Sequence, residues 1–531
     1  MFKQVFFLFL IVFLLVTCAR VGHPTGGDKD LKPPVTISAS PDFGTVQFKS
    51  DKIKIYFDEY IKFKDLNKQL IISPPLTYPP DITPLGTASK YISIKIKDTL
   101  KENTTYTINF GNAIVDNSEG NVLKRFKYLF STGNYLDSLE VAGFVKDAFS
   151  RKVSSDISVL LYAVDSVFND SVIYKQKPDY ITNTLDTTAF SITNIKEGKY
   201  LLIALLDVSK NMHYDPKVDK IAFVNSPVSL PSDSSYQLVL FKETPALHFK
   251  KAIELSTHHI LIPYEGKLMK GKVVSLSDKD KNPVSFFSYK DRETDSIHLW
   301  YKETKSDTLA IGMQILDSIH SFVVRHRSKE KDSLQLMKSV RQTLNLRDSL
   351  FVLSNIPIAK IQPKYINFID KDSAKVPFQI LENPLKDKFQ IAFEKKYSTI
   401  YAVTLYPKAV TDFLGQYNDT LQIRFHTKKP EDYGEIDLKV VLPQKKPVLV
   451  ELLTDKGKQV ASDYLTDTKT IKYSLLVPKT YVIRAIVDTN GNHQWDSGNF
   501  LQKIQPEKVI YYSKEIEVRA NWTISEEFIV K

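Results

Sequence analysis

Short alternations of polar and apolar residues recur along most of the chain. Residues 52–57 alternate with a period of two, which is the pattern of a strand with one buried face. Residues 91–96 repeat the pattern, and turn residues such as Ser40 and Pro41 stand between the runs. Residues 334–340 show helical spacing without caps, so we interpret them as a connection or an irregular strand. The chain is therefore predicted to be all-β, with tandem β-sandwich domains in an elongated array.

Several short motifs between residues 35 and 134 fit one known family. They are a turn at 40–44, the acidic pair Asp58 and Glu59, a turn at 116–121 and a closing strand at 128–133. Together they resemble the bacterial Ig-like domain first described in surface-layer proteins. The resemblance implies an Ig-like β-sandwich in which the acidic pair, placed at a strand end, is structural and not an acid–base pair.

Two patterns occur twice, which divides the chain into successive units. Residues 137–243 are similar to the prealbumin-like repeats that accompany carboxypeptidases and outer-membrane receptors, and that family uses the unit as a rigid spacer. Elements of the Ig-like pattern return at 409–427, and residues 481–488 match 200–207. The predicted order is a signal peptide at 1–17, a lipidated tether at 18–34, an Ig-like domain at 35–134, a prealbumin-like sandwich at 137–243, a β domain of uncertain type at 245–327, a second Ig-like domain at 328–429 and a second prealbumin-like sandwich at 433–531.

The N-terminus carries a pattern of its own. Lys3 precedes an unbroken apolar run at 5–16, which is followed by Thr17 and by Cys18, the only cysteine. The run is shorter than the about 20 residues of a membrane-spanning helix, but it fits the core of a secretory signal peptide. Residues 15–18 resemble the lipobox of bacterial lipoproteins, which implies lipidation of Cys18. The alternatives are an ordinary signal peptide with an incidental cysteine, or an uncleaved anchor.

The lipobox resemblance also implies a location. Ala19 follows Cys18, where an aspartate would commonly retain a lipoprotein in the inner membrane. We therefore expect transfer to the outer membrane. In Gram-negative Bacteroidota, surface display is usually marked by acidic residues just after the cysteine, and residues 19–23 include none. The expectation is a lipid-anchored outer-membrane lipoprotein of Bacteroidota that faces the periplasm.

The composition limits the classes of partner that the chain is expected to bind. The formal charge is +11, or +10 without the predicted signal peptide, and fits attraction to anionic lipid headgroups or acidic proteins as well as mere solubility. An exported chain without a zinc knuckle or an aromatic RNA-binding motif is not expected to bind nucleic acid. Because the single cysteine is assigned to the lipid, no disulfide is expected, and stability must come from apolar cores.

One turn has the composition of a metal site. Asp488, Asn490, Asn492 and Asp496 place oxygen ligands at alternating positions, which is an arrangement that suits Ca²⁺. The turn is not an EF-hand, because His493 stands where that loop needs glycine. We favour a tight β-turn in which these side chains cap the backbone, and calcium binding is the alternative.

Other motifs argue against catalysis. Residues 266–272 imitate a phosphate-binding loop, but Val273 replaces the hydroxyl that would bind magnesium. His258 and His259 are adjacent, so on a strand they face opposite sides and cannot share a metal. The sequence also has no catalytic thiol and no motif of a serine hydrolase or a zinc protease.

The sequence favours a non-enzymatic scaffold or binding rod of the cell envelope, attached to the membrane by its lipid and partnered by other envelope proteins. One alternative is an accessory subunit of an outer-membrane assembly or secretion machine. The other is a surface carbohydrate-binding protein, which would need exposed aromatics on one sandwich face. For that role Trp300, Trp495 and Trp522 are the only large candidates, and we expect Trp495 to pack beneath its own turn.

Overall fold

The computed structural model describes residues 29–152, 154–185, 187–268, 271–291, 294–304, 306–325, 332–444 and 446–531. Cys18 and the predicted signal peptide lie outside the described residues. Within these ranges the chain forms 41 strands and only one short α-helix, and the strands assemble into small, mostly antiparallel sheets. The prediction of an all-β array of tandem β-sandwiches is confirmed. No helix in the described part is long and apolar enough to cross a membrane.

The first sandwich packs a sheet of order β1-β2-β5-β4, with β7 beside β2, against a sheet of order β3-β6-β8. Its elements are β1 Thr36–Ser40, β2 Lys52–Phe63, α1 Leu66–Gln69, β3 Ile71–Ser73, β4 Asp81–Thr83, β5 Ser89–Lys95, β6 Thr105–Asn109, β7 Ile114–Asp116 and β8 Lys127–Ser131. The prediction that Asp58 and Glu59 lie at a strand end is wrong, because both residues lie inside β2. The pairing of β2 with β5 is irregular between Tyr56 and Ile61, so these two carboxylates sit on a bulged stretch.

The second sandwich pairs a sheet of order β11-β10-β13-β14, with β15 beside β13, with a sheet of order β12-β9-β16. Its strands are β9 Leu139–Asp147, β10 Ser158–Ala163, β11 Tyr180–Asn183, β12 Ala189–Ile195, β13 Gly198–Leu206, β14 Lys220–Phe223, β15 Val228–Leu230 and β16 Ser235–Leu240, and a 3₁₀ turn spans Asp170–Tyr174. Strands β9 and β16 are parallel, and Gly143 lies opposite Tyr236. A Cβ on Gly143 would lie 2.0 Å from the carbonyl oxygen of Tyr236, so this strand contact requires glycine.

The third sandwich has a sheet of order β17-β19-β22-β21, with β18 beside β19, and a sheet of order β20-β23-β24. Its strands are β17 His248–Phe249, β18 Ile253–Ser256, β19 His259–Glu265, β20 Gly271–Asp278, β21 Phe286–Lys290, β22 Ser296–Tyr301, β23 Thr308–Ile315 and β24 Ser318–Arg325. Ile260, Leu299 and Met313 are fully buried between the two sheets. The segment that imitates a phosphate-binding loop leads into strand β20 and not into a helix.

The fourth sandwich repeats the strand order of the first. Its elements are β25 Leu336–Lys338, β26 Leu350–Ser354, β27 Ile358–Ile361, a 3₁₀ turn Pro363–Tyr365, β28 Ile366–Asp370, β29 Gln379–Glu382, β30 Lys388–Ala392, β31 Ile400–Leu405, β32 Val410–Asp412 and β33 Leu421–His426. The order β25-β26-β30-β29 matches β1-β2-β5-β4, and β28-β31-β33 matches β3-β6-β8. Strand β27 pairs with β32 as the end of β2 pairs with β7. The duplication read from residues 409–427 therefore extends to the whole strand order.

The fifth sandwich repeats the second in the same way. After a 3₁₀ turn at Pro430–Asp432, its strands are β34 Gly434–Val441, β35 Val448–Thr454, β36 Gln459–Leu465, β37 Lys469–Leu476, β38 Lys479–Val487, β39 Val509–Tyr511, β40 Ile516–Val518 and β41 Thr523–Ile529. The sheets β36-β35-β38-β39 and β37-β34-β41 match β11-β10-β13-β14 and β12-β9-β16. Strand β41 is parallel to β34, as β16 is to β9.

Side-chain contacts join consecutive sandwiches. Between the first and second, the Thr105 hydroxyl donates to the Asp137 carboxylate at 2.7 Å and accepts from the Asp137 backbone N–H at 2.9 Å. Between the fourth and fifth, the backbone N–H of Leu346 donates to the Tyr433 hydroxyl at 3.2 Å. The surface area of 31225 Å² far exceeds the roughly 20,000 Å² of a compact protein of this mass. The array is elongated, but its neighbouring units are not independent beads.

Candidate site at the junction of the second and fifth sandwiches

The loop between β38 and β39 contains the predicted calcium residues. It has 21 residues, 488–508, whereas its counterpart between β13 and β14 has 13, residues 207–219. The first part of the loop forms the acidic turn, and the additional part reaches the second sandwich. The loop therefore joins two sandwiches that are separated by about 190 residues of sequence.

The acidic turn is held by hydrogen bonds to backbone N–H groups. Asp488 is buried, and its Oδ1 accepts from the N–H groups of Gly491 at 2.8 Å and Asn492 at 3.2 Å. Its Oδ2 accepts from the N–H of His493 at 2.8 Å. This is the self-capped turn that the sequence favoured. Gly491 takes a positive φ of 72°, which glycine adopts without strain.

The second carboxylate of the turn, Asp496, is bound by amides and by a lysine. Its Oδ2 accepts from the side-chain amides of Asn490 at 2.7 Å and Asn492 at 2.5 Å. Its Oδ1 lies 3.2 Å from the Lys267 ammonium of the third sandwich. Burial raises the pKa of the Asp496 carboxyl, but the hydrogen bonds from Asn490, Lys267 and Asn492 outweigh burial and lower this pKa.

Glu507 closes the loop from below. Its Oε1 accepts from both the backbone N–H and the hydroxyl of Thr489 at 2.7 Å, and its Oε2 accepts from the N–H of Asp496 at 3.1 Å. The Trp495 ring is half-buried beneath the turn and donates its Nε1–H to the Glu507 carbonyl at 3.0 Å. Trp495 thus packs where the sequence placed it, and it is not a surface aromatic.

The four predicted ligands lie close together, but their side chains form hydrogen bonds with one another or with the backbone of the turn. Asp496 receives both asparagine side chains, whereas the Asp488 carboxylate is occupied by the backbone. Within the described ranges, no group of three or more His, Cys, Asp or Glu side chains has the arrangement of a metal site. In the equivalent turn of the second sandwich, Asp207 accepts from the N–H of Met212 at 2.7 Å. Calcium binding at Asp488, Asn490, Asn492 and Asp496 stays a prediction.

Beyond the turn, Phe500 enters the second sandwich. It is fully buried in a core cluster that otherwise belongs to that sandwich, with its ring 5.3 Å from the Phe223 ring in a T-shaped contact. Its backbone N–H donates to Glu243, whose other oxygen accepts from the Tyr214 hydroxyl at 2.9 Å. A neighbouring glycine, Gly498, passes so close to Phe241 that a Cβ would lie 2.7 Å from the ring. Phe500 thus belongs to the fifth sandwich in sequence, but its ring forms part of the hydrophobic core of the second sandwich.

Polar contacts surround the buried Phe500 ring. Ion pairs join Lys503 to Asp170 at 2.6 Å and Arg151 to Glu515 at 2.9 Å. The Tyr511 hydroxyl donates to the carbonyl of Phe149 at 2.7 Å, and the Phe149 ring packs 4.0 Å from the Arg484 guanidinium and 4.8 Å from the Trp495 ring. Exposed ion pairs contribute little individually, so the buried ring is expected to provide most of the docking energy.

Two open cavities of about 470 Å³ each flank residues 505–508. One lies against the second sandwich and is lined by Lys146, Phe223 and Val239 among others. The other lies against the fifth and is lined by Val448, Val487 and Val530 among others. The junction thus leaves two clefts, one on each side of the segment 505–508 that joins the sandwiches.

The aspartates at the same position of the two Ig-like units have different surroundings. Asp116 accepts from three backbone N–H groups, those of Glu119, Gly120 and Asn121. Burial raises the pKa of its carboxyl, but these bonds outweigh burial and lower this pKa. For Asp412, burial raises the pKa of the carboxyl in spite of backbone hydrogen bonds, and its buried Oδ2 has no hydrogen-bond partner in the described structure.

Histidines of the third sandwich make a contact that the sequence did not reveal. His259 does not pair with His258, but its Nε2 lies 2.8 Å from Nδ1 of His298 on the neighbouring strand. The His259 ring stacks on Trp300 at 3.9 Å. Burial, and then the neighbouring His298, lowers the pKa of His259 to about 3. Trp300 is only 2% exposed, so it is not a candidate for carbohydrate binding.

Comparison with known families gives one sequence match. Residues 30–132 match the bacterial Ig-like domain family, as the motifs of this segment led us to expect. Searching curated proteins gave no match.

Solved structures with several β domains also match the chain. Domains 1–6 of the surface layer protein SbsC share 11% identity over 92% of this chain and 67% of that chain, with a TM-score of 0.14. The BSP domain of a biofilm associated protein shares 8% identity over 88% and 97% of the two chains, with a TM-score of 0.15. The major pilin subunit BcpA of Bacillus cereus shares 11% identity over 74% and 99%, with a TM-score of 0.13. At these values the matches carry no functional argument.

Proposed function

We propose that this chain is a non-enzymatic scaffold of the bacterial envelope. In this proposal Cys18 carries the lipid, the outer membrane holds the chain on its periplasmic face, and the sandwiches hold or bridge other envelope components. The prealbumin-like assignment of the second and fifth sandwiches belongs to the same proposal, and their identical strand orders indicate that one assignment applies to both. The Ig-like match of residues 30–132 fits a structural role as well.

The observation that carries the proposal is the way in which each sandwich is fixed to another. Thr105 and Asp137 exchange two buried hydrogen bonds between the first and second units. Phe413 of the fourth contacts Phe287 of the third, with 6.4 Å between ring centroids. Phe500 completes a core of the second. Domain interfaces within a chain are usually mobile unless they are apolar and extensive, so these contacts favour a framework of fixed geometry.

The carboxylates of the junction also favour a structural role. Glu507 and Asp488 each bind several hydrogen-bond donors of their own loop. A carboxylate that saturates its oxygens in this way stabilises a turn and has little capacity left for proton transfer. Asp496 adds a link to Lys267 of the third sandwich. The loop that contains the acidic turn therefore serves to join three units.

A crosslinking experiment in intact cells tests the proposal. The chain is tagged after Lys531, crosslinked gently and purified, and protease accessibility is measured in the same sample. Recovery of defined envelope proteins from a protease-protected pool would support the scaffold, and a translocon or assembly barrel as the main partner would favour the accessory-subunit alternative. A protease-sensitive pool without any stable partner would refute the periplasmic scaffold.

The lipid is tested separately with Cys18→Ala. The parent chain should partition with detergent-extracted membranes and incorporate a labelled fatty acid, because a thioether-linked diacylglyceryl group supplies stable attachment. The variant should lose the label and appear in the soluble fraction. Unchanged membrane partition of the variant would mean that Cys18 is not the anchor.

A further inference from the structure

The outer face of the first sandwich exposes aromatic and basic side chains in an ordered array. Cross-strand partners form one row across β1, β2 and β5 that consists of Ser38, Tyr56 and Tyr91. The next row consists of Ser40 on β1, Lys54 on β2, Ser93 on β5 and Thr83 on β4. We call these two rows the tyrosine face. Their side chains carry hydroxyls, an ammonium group and two phenol rings, and no aliphatic residue.

The tyrosines of this face are exposed although the sheet beneath them is well packed. Tyr56 is 36% exposed and Tyr91 is 43% exposed, with 5.9 Å between their ring centroids. The adjacent residues on the other side of β2, Ile55 and Phe57, are buried in the core. Tyr60, on the bulge of the same strand, is 56% exposed. Clustered exposed aromatics on a well-formed sheet mark an interaction surface.

The fold itself does not require these tyrosines, because the duplicated unit lacks them. Ile61 pairs with Asp116 in the first sandwich as Ile358 pairs with Asp412 in the fourth. Counted from this shared pair, Tyr56 corresponds to Leu353, and the residue opposite Leu353 is Lys388. The same strand order is therefore built with an aliphatic–lysine pair in place of two tyrosines.

Basic side chains lie both on the tyrosine face and directly around it. Lys54 extends over the Tyr91 ring at 5.4 Å, and Lys90 extends over the Tyr60 ring at 5.5 Å. Lys52 and Lys95 lie opposite each other at the end of the same strands. Among the described residues, none of these four lysines forms an ion pair, whereas the nearby Asp81 is bound to Lys97 at 2.6 Å. The carboxylates of Asp58 and Glu59 lie on the same strand β2, but the four lysines outnumber them and favour an anion at this face.

We propose that the tyrosine face binds an acidic polysaccharide that carries uronic acid residues. A phenol ring packs against the C–H face of a pyranose, hydroxyls of serine and threonine exchange hydrogen bonds with sugar hydroxyls, and ammonium groups pair with carboxylates. A protein partner would be expected to meet aliphatic side chains as well, and these two rows have none. The inference rests on the proposed scaffold function, because it names the class of component that the first sandwich would hold.

The test uses the full chain in detergent and measures its affinity for polygalacturonate and for neutral dextran by titration calorimetry. The parent should bind polygalacturonate in a salt-dependent manner and dextran far more weakly. Tyr56→Ala/Tyr91→Ala should reduce the affinity for polygalacturonate about tenfold or more, as truncation of anchoring aromatics does. Lys54→Gln should also weaken binding and reduce its dependence on salt.

Two variants control for general effects of tyrosine removal. Tyr397→Ala and Tyr417→Ala remove residues of the fourth sandwich that are 61% and 55% exposed, and both should bind as the parent does. Unchanged thermal unfolding of each variant shows that the fold is intact. The inference is overturned if the parent does not bind polygalacturonate, if Tyr56→Ala/Tyr91→Ala binds normally, or if anionic lipid vesicles bind and the polysaccharide does not. The scaffold function stands or falls on its own crosslinking result, whichever outcome occurs here.

Discussion

Replacement of Phe500 by alanine should weaken the contact between the second and fifth sandwiches. Its ring is fully buried among residues of the second sandwich, including Phe223 and Phe241. Removal of a buried phenylalanine ring costs about 3–5 kcal/mol, because the transfer energy is lost and a cavity is left. The surrounding ion pair between Lys503 and Asp170 is half-exposed and adds about 1 kcal/mol or less. The ring should therefore dominate the docking energy.

Two measurements can detect the loss of docking energy. Urea unfolding should show a first transition that is shifted to lower urea in Phe500→Ala by the equivalent of about 3 kcal/mol. Small-angle X-ray scattering without urea should show a larger radius of gyration, because the two sandwiches separate while each stays folded. Phe500→Leu, which keeps most of the apolar volume, should retain most of the stability. Trp522→Ala serves as a surface control, since this ring is 61% exposed.

A loss of less than about 1 kcal/mol with unchanged scattering would contradict this reasoning. It would mean that the polar contacts around Arg151 and Lys503 hold the sandwiches together without the ring. A large loss without any change in the radius of gyration would also be informative. It would place the effect inside the core of the second sandwich, and the junction would not depend on Phe500.

Four further predictions concern single sites. Asp116→Asn should lower stability by about 2 kcal/mol in thermal unfolding, because one amide oxygen cannot accept three backbone N–H bonds. Asp412→Asn should instead raise stability at pH 7, since a raised carboxyl pKa gives stability below the unfolded-state pKa that is lost as the pH rises through the folded-state pKa; an equal loss in both variants would contradict this contrast. Gly143→Ala should cost about 3 kcal/mol, because its Cβ would meet the backbone of Tyr236, and normal stability would show that the strands can separate. EGTA should leave the unfolding midpoint unchanged if the Asp488 turn is only self-capped, and a midpoint that rises with added Ca²⁺ would establish the ion.

Local patterns predicted the parts of the fold that depend on neighbouring residues. The alternation at residues 52–57 lies in β2, and the uncapped helical spacing at 334–340 proved to contain strand β25. The turn at Asp488 could be read because its hydrogen bonds stay within five residues. In each case the energy that decides the conformation comes from positions close in sequence.

Long-range contacts could not be read in the same way. Phe500 lies in a stretch without periodicity, and its partner Phe223 is 277 residues away. His259 and His298 meet only because β19 pairs with β22 in one particular register. A sequence pattern reveals that a face is apolar but not which distant face covers it. The tyrosine face was missed for a related reason, because Tyr56 and Tyr91 become neighbours through strand pairing alone.

The docking of Phe500 has a mechanical consequence. A pull applied between the first sandwich and strand β41 would pass directly from the second sandwich to the fifth through residues 497–508. The third and fourth sandwiches would form a side branch that bears no tension while this link holds. Rupture of the link would release the length stored in two folded units without unfolding either of them. The junction would then dissociate under force before any β-sandwich core unfolds.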